Sequence, residues 1–123
     1  MIVGAVYDRE ARITVKLRGS QAQELSVEAV VDTGYTAMLT LPPDQIAALD
    51  LPWQGFGRGT LADGSECLFD VYEAELIWDG VSRRILVDEA DTDSLVGMGL
   101  LSGYQLTVEV CPQGKVEIAA LFQ

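Results

Sequence analysis

Apolar and polar residues alternate along most of this chain with a period of two, and turn dipeptides interrupt the alternation at short intervals. Ile2 to Tyr7 and Arg12 to Leu17 read as short strands joined by the polar Asp8-Arg9-Glu10 segment, with Ile13, Val15 and Leu17 on one face. This predicts an N-terminal hairpin. Leu25, Val27 and Ala29 alternate with Ser26 and Glu28 until the pattern turns wholly apolar at Val30-Val31, as expected of a strand entering a core, and it stops at Asp32-Thr33-Gly34. Ala37 to Leu41 is a second apolar run, ended by Pro42-Pro43, after which Asp44 to Leu49 carries helix formers behind a proline start. Beyond Trp53 the signals are again those of strands. Gly55, Gly57 and Gly59 lead to Thr60-Leu61, Asp63-Gly64 marks a hairpin, Cys67 to Trp78 makes a long strand, and Asp79-Gly80 turns the chain into Val81 to Val87. The acidic stretch Asp88 to Asp93 reads as a loop before Leu95-Val96-Gly97. Tyr104 to Val110 and Lys115 to Leu121 form a last hairpin around Pro112-Gln113-Gly114.

No linker, low-complexity run or tandem repeat divides the 123 residues, and a chain of that length, 49% hydrophobic, supplies one self-sufficient core. The expectation is a single mainly β domain with one or two short helices. Periodicity leaves open whether its hairpins close into a small barrel or fold as a sheet.

Composition narrows the chemistry. There is no histidine, which removes Ser-His-Asp and Cys-His triads, His-ligated zinc and imidazole acid-base work. Eight Lys and Arg stand against nineteen Asp and Glu, a net charge of −11, so no cationic stripe exists to meet phosphates. Nucleic acid and anionic membrane are poor partners. Cys67 and Cys111 lack metal-ligand spacing and read as reduced, half-buried thiols. The opening run Met1 to Tyr7 is too short for a signal segment and no stretch approaches membrane-spanning length, so the expected location is cytoplasmic. The acidic stretch has neither the glycine nor the closing bidentate Glu of a calcium loop and reads as solvated; no metal site is expected.

Asp32-Thr33-Gly34 is the sharpest local feature, because a carboxylate at the end of an apolar strand is costly to bury unless something pairs with it or uses it. Taken alone, the tripeptide is equally a β-turn. Its surroundings say more. Val30-Val31-Asp32-Thr33-Gly34 followed by Thr36-Ala37-Met38-Leu39-Thr40-Leu41-Pro42 resembles the catalytic segment of aspartic peptidases, and the chain length resembles their single-domain, retropepsin-like branch. Leu95-Val96-Gly97, with Leu100-Leu101 after it, looks like that family's second signature, whose strand passes through the catalytic loop. The hairpin around Ala62-Asp63-Gly64 falls where the family carries its flap. Bacterial retropepsin-like aspartic proteases look most similar, sharing Ala62-Asp63-Gly64, the Trp78-Asp79-Gly80 turn and Leu95 to Leu101, so that the resemblance runs from about Leu25 to Ile118.

The resemblance implies a closed β-barrel over residues 1–123, acting as half of a two-fold dimer, with Asp32 catalytic and Thr33 and Gly34 supporting it. Two Asp32 carboxylates sharing one proton would activate a water for peptide-bond hydrolysis without metal or organic cofactor. One chain carries one such motif, since Asp63-Gly64 and Asp79-Gly80 lack the preceding apolar strand and the Thr, so a homodimer is the economical arrangement. A peptide or protein is then the substrate. Thr33 would brace the opposite subunit's loop, and Gly34 would contact substrate backbone. Ile2 to Val6 and Val116 to Phe122 are candidates either for an interface sheet or for ordinary core strands. Tyr35 departs from the pattern: small residues usually follow the motif, and a phenol carried on a ring cannot easily reach back to the carboxylate. Two other readings stay open, a peptide-binding or regulatory module that keeps the fold without efficient turnover, and a plain acidic β-barrel in which Asp32 is a turn residue.

Overall fold

The computed structural model describes residues 1–122. In chain order the elements are β1 (Ile2–Tyr7), β2 (Glu10–Arg18), β3 (Glu24–Val31), β4 (Leu39–Leu41), α1 (Pro43–Leu49), β5 (Trp53–Thr60), β6 (Glu66–Trp78), β7 (Val81–Glu89), β8 (Ser94–Val96), α2 (Met98–Leu101), β9 (Tyr104–Val108) and β10 (Lys115–Ala120). The protein is thus mainly β with two short helices, as the alternation implied.

The turns follow their residues. Asp8 and Arg9 both take positive φ (52° and 63°), and Asp79 and Gly80 do the same (50° and 79°), the geometry that lets a two-residue loop match the twist of paired strands. Tyr7 therefore pairs with Glu10, and Trp78 with Val81. Helix α1 begins behind Pro42 with Pro43 in its first turn, buries Ile46 and Leu49 on one face, and ends at Asp50 in the left-handed region.

The strands form one sheet in the order β5-β6-β7-β4-β8-β3-β2-β1-β10-β9, and a further pairing between β6 and β2 closes it. Lys16, Leu17 and Arg18 of β2 meet Ile77, Leu76 and Glu75 of β6, so β2, β3, β8, β4, β7 and β6 make a closed ring. Inside it lie Leu17, Ala29, Leu39, Leu76, Val87 and Val96, all without exposed surface, each large one stabilising the fold by roughly 1.5–3 kcal/mol. The closed barrel is the one of the two architectures that the sequence had left open.

Three expectations change. Asp88 and Glu89 are the last two residues of β7 rather than part of the acidic loop, because β7 runs on beside β4, with Thr40 opposite Asp88 and Leu41 opposite Glu89. The terminal strands pair with each other, Ile2 opposite Ile118 and Gly4 opposite Val116, which makes them interior strands with Val6, Val116 and Ile118 buried. The free edges of the sheet belong to β9 and β5. Finally, Cys67 is half-buried as expected, but Cys111 is exposed.

Candidate active site

Strand β8 threads between the two strands that flank the Asp32 loop. It runs parallel to β3, with Leu95 opposite Val30 and Val96 opposite Val31, and antiparallel to β4, with Val96 opposite Leu39. The loop is sewn to the chain that passes through it. The Asp32 amide donates to the Val96 carbonyl (2.9 Å), the Gly97 amide to Met38 (2.9 Å), the Met98 amide to Tyr35 (2.7 Å) and the Gly99 amide to Ala37 (3.0 Å). Thr40 adds a buried hydroxyl that accepts from the Leu95 amide (2.8 Å).

Gly97 is required by this crossing and not by its own conformation. Its φ of −99° is open to any residue, but an added Cβ would stand 2.2 Å from the Ala37 carbonyl oxygen and 2.6 Å from Cδ2 of Tyr35. The second signature, Leu95-Val96-Gly97, therefore lies directly against the Asp32 loop. Helix α2 starts at once after Gly97 and buries Leu100 and Leu101.

Asp32 is half-buried, while Thr33 and Gly34 are exposed. The carboxylate oxygen Oδ1 accepts the Gly34 amide (2.8 Å), and the Asp32 carbonyl accepts the Tyr35 amide (3.2 Å). Among the described residues no donor reaches Oδ2. The strand end thus holds the carboxylate in a fixed orientation by one oxygen and leaves the other open.

Tyr35 does not turn back to Asp32. Its phenol donates to Oδ2 of Asp88 (2.6 Å), with the Leu39 carbonyl at 3.4 Å. Burial first, then the hydrogen bond and the charge of Asp88, hold this phenol far above the ordinary tyrosine range, so it remains a donor at any physiological pH. Tyr35 is the residue that departs from the family pattern in sequence, but its partner Asp88 lies in a strand and not in the solvated loop that the sequence implies.

The hairpin of β5 and β6 carries Ala62, Asp63 and Gly64 at its tip. The Leu61 amide donates to the Ser65 carbonyl (2.7 Å), the Gly64 amide to Leu61 (2.9 Å), and Gly64 takes the positive φ (86°) that the turn needs. Oδ1 of Asp63 accepts from the Ser65 amide and hydroxyl. Among the described residues the hydrogen bonds of this tip stay within the hairpin, so the structure does not join it to Asp32. Further down, Ala74, Leu76 and Trp78 of β6 point into the core, and the same face continues outward through Tyr72, Asp70 and Leu68. Phe56 sits opposite Asp70, and Trp53 donates from its indole to Oδ1 of Asp70 (3.0 Å) while stacking edge-on against Phe56 at 5.2 Å. Phe56 and Leu68 are 67% and 65% exposed, an apolar lining on the core-facing side of a hairpin that has left the core. At its root Glu89 approaches Asp70, and its pKa is raised by burial and then by that neighbouring charge.

Among the described residues no three carboxylates or thiols converge closely enough to hold a metal ion. No helix is long and apolar enough to cross a membrane.

A closed six-strand ring, an Asp-Thr-Gly loop at a strand end and a glycine-bearing strand threaded through that loop define the retropepsin-like fold, and this chain has it. Among the solved structures that share it are two aspartic proteases. One is a retropepsin-like aspartic protease from Rickettsia conorii, at a TM-score of 0.58 and 15% identity, the match covering 97% of this chain and 92% of that one. The other is EIAV protease complexed with the inhibitor HBY-793, at a TM-score of 0.53 and 17% identity, covering 79% and 91%. No family model and no curated protein matches the sequence.

Proposed function

We propose that residues 1–123 are a single retropepsin-like aspartic protease domain, and that two copies hydrolyse peptide bonds at a site built from both Asp32 side chains. The observation that carries this reading is Asp32 itself, fixed through Oδ1 by the Gly34 amide at the strand crossing, with Oδ2 unclaimed. The fold shared with two aspartic proteases supports it.

One motif per chain makes the two-fold dimer part of the proposal. With one proton between the two carboxylates, the ionised Asp32 takes a proton from water, whose oxygen attacks the scissile carbonyl carbon. The protonated Asp32 gives its proton to the carbonyl oxygen. Collapse of the resulting diol passes the proton taken from water to the amide nitrogen as the C–N bond breaks, while a diol hydroxyl returns its proton to the other Asp32, so the carboxylate pair is restored and one water is consumed, without a cofactor. Exposed Thr33 braces the partner's loop, Gly34 meets the substrate backbone, and Ala62, Asp63 and Gly64 tip a flap whose inner side is Phe56 and Leu68. The cytoplasmic location belongs to the same proposal, supported by two unpaired thiols, Cys67 and Cys111.

The test is cleavage of an unstructured protein such as casein between pH 4 and 7, wild type against Asp32→Asn, at concentrations that favour dimers. Asn keeps a side-chain oxygen for the Gly34 amide and removes only the ionisable group. Cleavage by the wild type that vanishes in the variant and yields to pepstatin is expected. No cleavage by either folded protein would replace this reading with a peptide-binding module of the same fold.

A further inference from the structure

We propose that Tyr35 and Asp88 are a positioning pair, a latch within one chain that holds the Asp32 loop at its working angle. The inference rests on the proteolytic reading of Asp32 and adds residues to it.

Three observations carry it. From Asp32 to Ala37 the loop touches the rest of the chain through backbone hydrogen bonds, and among the described residues Tyr35 is the loop residue whose side chain hydrogen-bonds other elements, closely to Asp88 of β7 and at 3.4 Å to the Leu39 carbonyl of β4. The bond to Asp88 is short, 2.6 Å, and charge-assisted, the kind roughly twice as strong as a neutral one. Asp88 has no competing cation, since none of the ion pairs of the described residues includes it. The ring also has little freedom, because Gly97 lies against its Cδ2 edge and the Tyr35 carbonyl is held by the Met98 amide. Ring, phenol and carbonyl together tie the residue three positions after the catalytic carboxylate to β7 on one side and to the start of α2 on the other.

A loop held this way aims the carboxylate before substrate arrives. Misplacing a reacting group costs rate far more than it costs binding. Releasing the latch should therefore lower kcat while leaving KM nearly as it was.

The experiment measures kcat and KM per folded dimer, with the folded fraction read by circular dichroism, for wild type, Tyr35→Phe, Asp88→Ala, Asp88→Asn and the Tyr35→Phe/Asp88→Ala double variant. Tyr35→Phe and Asp88→Ala should each lose about ten-fold in kcat with KM within about two-fold. Asp88→Asn, whose carbonyl still accepts the phenol, should recover most of that loss. The double variant should be no worse than either single one, because both remove the same bond. Wild-type kcat per folded dimer in Tyr35→Phe and Asp88→Ala, or losses that multiply in the double variant, would overturn the latch and leave the proteolytic reading standing. A wild type without Asp32-dependent cleavage would overturn both.

Discussion

Replacing Gly97 by Ala probes the strand crossing with a single carbon. Because the backbone at 97 is extended and open to any residue, the whole effect is steric. The new Cβ would lie 2.2 Å from the Ala37 carbonyl oxygen, 2.6 Å from Cδ2 of Tyr35 and 2.7 Å from the Tyr35 carbonyl oxygen. Two of these neighbours are backbone and cannot rotate away, so the Ala37 oxygen must retreat by more than an ångström and the Tyr35 oxygen by more than half of one to reach ordinary contact. Those same carbonyls accept the Gly99 and Met98 amides, and the retreat stretches both bonds. Overpacking of this kind costs about 1–3 kcal/mol, and each lost backbone bond adds about 0.5–1.5 kcal/mol. The expected destabilisation is about 3–5 kcal/mol, a fall in Tm of roughly 12–20 °C for a domain of this size. Thermal and urea unfolding followed by circular dichroism read it directly. A loss below about 1 kcal/mol would refute the tight crossing.

Two further expectations concern pH. Tyr35 binds its proton more tightly when folded, so the stability it contributes is complete below pH 10 and is lost as pH rises towards its raised folded pKa. Between pH 10 and 11 the wild type should lose up to about 1 kcal/mol more than Tyr35→Phe, less where solvent screens the half-buried phenol, and parallel urea-unfolding curves for the two proteins would contradict this. Glu89 also has a raised pKa, from burial and then Asp70, so its shared proton favours the fold at low pH and the pair becomes a cost as pH rises through that pKa. Glu89→Gln should stabilise the protein at pH 7 by a few tenths of a kcal/mol, with the gain gone by pH 4. Equal gains at both pH values would show that charge is not the cause.

Much of this architecture was legible because local chemistry and global fold agree. The all-apolar end of β3, the Asp79-Gly80 turn and the glycine of Leu95-Val96-Gly97 each have one economical structural reading, and each sits where that reading puts it. Ring closure was legible only through the family resemblance, not in the patterning. Leu17 and Leu76 alternate with polar neighbours in the same way whichever strand they face, so period-two patterning cannot announce that β2 meets β6. Asp88 was hidden for a related reason. Two acids in succession resemble the start of a loop, and only the pairing of Asp88 with Val71 and Thr40, and of Glu89 with Leu41, keeps the chain in a strand there. With Asp88 misplaced, the phenol of Tyr35 had no visible partner and stood only as a departure from the family's pattern. The apolar terminal strands carried two meanings, interface or core; within the chain they pair with each other, the one neighbour that sequence does not name, and bury Val6, Val116 and Ile118.

In the proposed catalytic site the two carboxylates come from two chains. Mixing wild-type protein with Asp32→Asn at fixed total concentration, allowing the subunits to exchange, and measuring casein cleavage against the wild-type fraction tests this sharing. If each site needs Asp32 from both chains, activity follows the square of that fraction and an equal mixture retains about a quarter of full activity. A straight line, with about half retained, would mean that each chain works alone and would contradict the account.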